Sequence, residues 1–226
     1  MNDTITQKTA ERVMTEGHTF LETHDHEQAL ESFRRAADLY GQLGDRKRQA
    51  EGLYTAGGIF ALMDRTEEAL AAFSGVIDLL REEADPCKRA MAWTNRGLIL
   101  ARQQRFQDAL GCFEEALALF QQGDEPIRVA EQWGNIGSAY RDLEQPDRAL
   151  ENYERARAIY RELGHTERIA DQCTNIAYTR FMQQDHADAL RWYREALGLY
   201  TAAGSEPKRR FTAENVERLE AVLGES

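Results

Sequence analysis

Small and apolar residues return along this chain at steps of three and four, the spacing of one helix face, and the whole pattern returns every forty residues. Ala29, Ala69, Ala109, Ala149 and Ala189 mark that period without insertion or deletion, each followed by leucine. With this alanine set at position 20, the units begin at Ala10, Ala50, Ala90, Ala130 and Ala170. Position 24 then holds Phe33, Phe73, Phe113, Tyr153 and Tyr193, and position 27 holds Ala36, Val76, Ala116, Ala156 and Ala196. Leu39, Ile159 and Leu199 follow three residues later. This stripe predicts a helix, B, and acidic residues such as Asp25, Glu67, Asp108, Asp147 and Asp185 gather near its start, where the helix dipole favours them.

Upstream, Leu53, Trp93, Trp133 and Cys173 share position 4, Gly17, Gly57, Gly97, Gly137 and Ala177 share position 8, and Phe20, Phe60, Leu100 and Tyr140 share position 11. These predict a second helix, A. A mid-helix glycine costs roughly 1 kcal/mol against alanine, so its recurrence implies that another backbone passes too close for a larger side chain. Turns with a glycine stop are expected at Leu43 to Asp45, Gln122 to Asp124 and Leu163 to His165. A period of this length is the signature of an array in which each unit buries its apolar face only against its neighbours. The chain is therefore expected to be all-α: five helix-turn-helix units over about 8–47, 48–87, 88–127, 128–167 and 168–207, forming one right-handed superhelical solenoid and a single domain over 1–226. A capping helix over about 208–224 is expected to end it, with Val216, Leu219 and Leu223 on one stripe among glutamates.

The formal net charge of -11 opposes non-specific binding to nucleic acid, whose phosphates demand a basic stripe. No apolar run is long enough to span a membrane and the N-terminal residues lack a signal-peptide block, which points to a cytoplasmic protein. Cys87, Cys112 and Cys173 form no CxxC and sit at different repeat positions, so they are expected to be core residues rather than disulfides or zinc ligands. His24 and His26 flank Asp25, and His186 occupies the place of His26 four repeats later. Those turns stand at opposite ends of the array, too far apart for the three or four converging ligands of a metal site. Phosphate loops, GxSxG and HExxH are absent, so neither a cofactor nor an enzymatic activity is expected.

The columns resemble the tetratricopeptide repeat: aromatic at 4, small at 8, aromatic at 11, alanine at 20, aromatic at 24 and alanine at 27. The resemblance covers nearly the whole chain, departing from the common 34-residue form in length and in having Gly41 and Gln121 where a proline often follows helix B. The six extra residues are expected to lengthen both helices. Forty-residue units with NRG or NIG in helix A are similar to those of kinesin light chains and Pins-type adaptors, which implies peptide recognition in a concave groove lined by the A helices.

On that face, position 6 holds Thr15, Thr55, Asn95, Asn135 and Asn175, followed by Asn215 in the cap. Asparagine is a poor helix former, and its amide offers donors and an acceptor to an extended backbone. The resemblance implies that Asn95, Asn135 and Asn175 grip the peptide main chain; the alternative is that they tie neighbouring A helices together. Position 39 is basic throughout: Arg48, Lys88, Arg128, Arg168 and Lys208. Glu51, Glu131 and Asp171, at position 2, stand ready for i,i+3 pairs, so a solvated salt-bridge ladder competes with a rail for acidic ligand side chains. Met91 interrupts the acids, leaving Lys88 without that partner and marking Lys88 and Arg128 as readers of a ligand carboxylate. Leu98, Arg102 and Tyr178 complete the candidate lining, while Phe181 is expected to enter the core where Arg180 replaces the aromatic of position 11.

The leading function is a non-catalytic adaptor or scaffold module that binds an extended, acidic or amphipathic peptide segment of a partner protein. Self-association into a structural scaffold is the alternative, with Ile5 and Val13 offering a modest seam. A peptide-gated regulator is the third reading, disfavoured because such regulators carry a further helical or DNA-binding domain.

Overall fold

A computed structural model of the chain describes residues 7–82 and 86–224; Ile5 lies outside them. The described residues form eleven helices: α1 (Gln7–Glu22), α2 (His26–Gln42), α3 (Arg46–Leu62), α4 (Thr66–Leu79), α5 (Cys87–Arg102), α6 (Phe106–Gln122), α7 (Pro126–Asp142), α8 (Pro146–Glu162), α9 (Thr166–Met182), α10 (His186–Ala203) and α11 (Glu206–Gly224). Odd-numbered helices to α9 are the A helices and even-numbered ones the B helices. The forty-residue period closes arithmetically, since most helices run 17 residues with three-residue turns between them. Both helices are thus lengthened, as the extra residues implied.

Two compact units make up the chain, α1–α5 ending at Arg105 and α6–α11 beginning at Phe106, and within each unit every helix packs on the next in sequence. The alanine columns at positions 1 and 20 are fully buried in all five repeats, as are the rings at position 24. The small position 8 is explained by those rings. A Cβ on Gly17 would stand 3.1 Å from the Phe33 ring, on Gly57 3.0 Å from Phe73, and on Gly137 2.7 Å from Tyr153. A side chain rather than a backbone is therefore the nearest neighbour of these three; at Gly137 the main-chain oxygen of Ala149 also comes to 3.1 Å.

Position 31, not the leucines and isoleucines of position 30, completes the buried stripe of helix B. Tyr40, Leu80, Phe120, Tyr160 and Tyr200 are all buried there, whereas Leu39, Ile159 and Leu199 are half-buried. Asp25, Asp45 and Asp185 cap α2, α3 and α10 by accepting from the main-chain N–H of Gln28, Arg48 and Asp188. Pro126 and Pro146 open α7 and α8, where a missing N–H costs nothing. Gly44, Gly164 and Gly204 take left-handed conformations at the ends of B helices, but in the third repeat that place belongs to Asp124 rather than Gly123, because the period sets Asp124 in register with them. Cys112 and Cys173 are buried, while Cys87 is only half-buried at the first turn of α5.

Candidate peptide-binding surface on the A helices

The basic column is a set of bridges between successive A helices. Arg48 Nη1 lies 2.6 Å from Glu11 Oε1, Lys88 Nζ 3.6 Å from Glu51 Oε1, Arg168 Nη2 3.4 Å from Glu131 Oε1, and Lys208 Nζ 2.7 Å from Asp171 Oδ1. Each of these four thus reaches back 37 positions to the acid at position 2 of the preceding repeat. Lys88, expected to lack a carboxylate partner, has one: the register supplies Glu51 across the repeat junction, where position 91 of its own helix holds methionine. Met91 instead stands 37 positions before Arg128, which pairs with Glu131 of its own helix at 2.9 Å. Glu131 so serves both Arg128 and Arg168.

Buried tyrosines at position 31 lie under this ladder, a feature the sequence reading missed. Arg48 covers the Tyr40 ring with its guanidinium 5.5 Å from the centroid and donates to the Tyr40 hydroxyl at 3.3 Å. Lys208 sits 5.7 Å from the Tyr200 centroid, and the Tyr200 hydroxyl donates to Asp171 at 2.8 Å. The large apolar column Tyr40, Leu80, Phe120, Tyr160 and Tyr200, one residue further along helix B, was the available signal. Burial pushes the Tyr160 phenol up to about 12, with Glu131 adding to the effect and Arg168 opposing it. Tyr200 is raised by burial and by Asp171. Hydrogen bonds from Arg48 and Lys208 hold the Glu11 and Glu167 carboxyls below the usual carboxylate range.

The asparagines differ among themselves. Asn95 Nδ2 donates to the Tyr54 hydroxyl of α3 at 2.9 Å, a bond between neighbouring A helices, and leaves Oδ1 as an acceptor. Asn135 Nδ2 lies 3.4 Å from Oε1 of Gln132, a buried residue of the same helix. Asn175 is half-buried and its side chain makes no hydrogen bond among the described residues, while Asn215 bonds back to the Phe211 carbonyl at 3.1 Å.

Three of the sequence-selected residues converge in the first unit. Asn95, Leu98 and Arg102 of α5 line one pocket with Gly58, Ala61 and Leu62 of α3 and Phe73 of α4. Leu62 is 72% and Leu98 44% exposed, an apolar pair left to solvent on the facing helices. Arg102 reaches Asp64 at 3.2 Å from the rim. In the second unit Arg141, Thr179 and Met182 line a cleft between α7 and α9, and Arg141 lies 5.4 Å from the centroid of Tyr178, itself 44% exposed. Arg141 also donates to Asp142 at 2.9 Å and to the Tyr153 hydroxyl at 3.4 Å. Phe181 does not enter the core. It is 40% exposed and tilted against His186, because Arg180 keeps position 11 with Nε 3.1 Å from Asp188 Oδ2, an ion pair without the alignment of a hydrogen bond.

Burial, aided by the Glu195 carboxylate, pushes the Cys173 thiol up to about 12, so it stays protonated at neutral pH and is a poor nucleophile. Among the described residues, no cluster of three or more His, Cys, Asp or Glu is placed to hold a metal ion, and no helix is long and apolar enough to cross a membrane.

A profile described as tetratricopeptide repeat matches residues 88–162 and again 128–202, together 88–202 and so half of the chain. The chain belongs to the tetratricopeptide repeat family. No curated protein matches this tetratricopeptide repeat chain by sequence. Among solved structures it is similar to the apo form of RapI, with a TM-score of 0.82 at 14% identity over 96% of this chain and 84% of that one. MamA from Desulfovibrio magneticus RS-1, residues 41 to the end, gives 0.69 at 20% identity over 88% and 98%. Aspartyl phosphate phosphatase F from Bacillus subtilis gives 0.75 at 15% identity over 94% of this chain but 59% of that one. At these identities the likeness is one of fold.

Proposed function

We propose that this tetratricopeptide repeat protein is a non-catalytic interaction module, an adaptor or scaffold, that binds an extended peptide segment of a partner protein along its A helices. The observation that carries the reading is the pocket between α3 and α5, where an amide, a guanidinium and exposed aliphatic side chains meet on facing A helices. Family membership supports a protein partner, and the second unit offers a more polar cleft lined by Arg141, Glu144, Thr179 and Met182. The basic column contributes less to recognition than its charge suggests, since Arg48, Lys88, Arg168 and Lys208 already hold carboxylates of this chain. A ligand carboxylate would have to displace them.

Stacking of copies through α11 is disfavoured by Glu217 and Glu220. They stand at positions 8 and 11, where a following helix B would need a small residue and an aromatic.

The test is selection of a displayed library of random 12-residue peptides on the protein, with each enriched peptide assayed on the Asn95→Ala/Asn135→Ala/Asn175→Ala variant. With about 1 kcal/mol per amide bond to the ligand, the variant is expected to bind about 100-fold more weakly while keeping its helical circular dichroism. Equal binding by both proteins, or no enrichment, would contradict the proposal.

A further inference from the structure

Helix α3 carries two consecutive glycines, and only one is explained by packing. Gly57 faces the Phe73 ring, but nothing lies within 4 Å of where a Cβ on Gly58 would stand. Alanine would suit the helix better there. Gly111 and Gly198 are equally open, yet both are exposed on B helices, where a glycine merely weakens the helix. Gly58 instead occupies position 9, where the other repeats place His18, Leu98, Ser138 and Tyr178. Its missing side chain leaves open a pocket whose base is the buried Phe73 ring and whose walls are Leu62, Leu98 and Ile99.

We propose that the space over Gly58 is a socket for one bulky aliphatic or aromatic side chain of the bound peptide, and that Arg102 pairs with a carboxylate beside that side chain. This rests on the peptide-binding reading above and supplies its anchor. The walls are apolar, and of the lining residues only Arg102 is charged. Its pair with Asp64 joins two largely exposed side chains at 3.2 Å, a weak bond that an incoming carboxylate can exchange for a bidentate one. Asn95 is held by Tyr54 with its Oδ1 left to accept, which suits a main-chain N–H of the same peptide. The occupant is therefore an extended segment with a leucine-, isoleucine- or phenylalanine-sized residue next to an acidic one.

The probes are immobilised 12-residue peptides with central Leu, Phe or Ala, each flanked by Glu, Gln or Lys. The protein is expected to bind the Leu and Phe peptides at least tenfold more tightly than the Ala peptides, and the Glu-flanked above the Lys-flanked. Gly58→Leu fills the socket and is expected to lose that tenfold preference. Gly58→Ala is expected to weaken Leu and Phe binding while raising Tm by about 1–4 °C, which separates a filled socket from a damaged fold. Gly111→Ala should raise Tm similarly with binding unchanged, and Arg102→Glu should reverse the flank preference. Unchanged binding in Gly58→Leu, with binding still lost in the triple asparagine variant, would overturn the socket and leave the groove standing. Binding of no peptide would overturn both.

Discussion

Glycine 137 and glycine 58 show how differently one residue type acts in these repeats. A Cβ on Gly137 would stand 2.7 Å from the Tyr153 ring and 3.1 Å from the Ala149 carbonyl, so Gly137→Ala is expected to destabilise the fold by about 1–3 kcal/mol in urea unfolding. Gly58→Ala has open space and is expected to stabilise it by about 0.5–1 kcal/mol. The sequence showed the first of these as a column of small residues, because close packing repeats with the period. It was silent on the second, because an empty space leaves no residue to recur. The tyrosines give a second expectation at this scale. Tyr153, Tyr160, Tyr193 and Tyr200 all have raised phenol pKa values, chiefly through burial. The folded chain keeps these protons while the unfolded chain releases them near pH 10. Their stabilisation is thus complete below pH 10 and falls as pH rises toward 12. A Tm series from pH 8 to 11.5 should show a Tm that begins to fall above about pH 10; a Tm unchanged across that range would contradict it.

At the scale of elements, the helices were legible because apolar spacing and alanine columns repeat, while the turns within each repeat were not. His24, Asp64, Gln104, Glu144 and Gln184 all adopt positive φ, between 55° and 63°, at position 15, without a single glycine there to signal it. A non-glycine residue in this region is strained, and glycine regains part of that cost while loosening the unfolded chain. Gln104→Gly and Gln184→Gly are therefore expected to stabilise the protein by up to about 1 kcal/mol each, read as a higher urea midpoint at unchanged slope. The basic and acidic columns were both visible in the sequence, but their pairing was not. Positions 39 and 2 are three apart along one helix and 37 apart between repeats, and side-by-side packing of A helices selects the longer separation for Arg48, Lys88, Arg168 and Lys208. The supposedly unpartnered Lys88 followed from counting only the shorter one.

For the whole molecule, five registered repeats and a terminal helix without a continuing face account for what the chain buries and what it leaves to solvent. On α11, Glu217 and Glu220 replace the small and aromatic residues that Gly137 and Tyr140 supply in the fourth repeat. Glu217→Gly combined with Glu220→Tyr is expected to produce concentration-dependent association in analytical ultracentrifugation; a protein no more associated than the parent would show that α11 is not what limits stacking. The family was legible because its pattern is carried by core residues, whereas the proposed binding role was not, since A-helix residues such as Asn95 and Arg48 make bonds within the chain. The most direct test of groove recognition is capture from the native lysate by the parent beside the Asn95→Ala/Asn135→Ala/Asn175→Ala variant, both shown to be folded by circular dichroism. A partner protein held by the parent and lost by the variant is the predicted result; equal capture by both, or capture only of further copies of this chain, would contradict it.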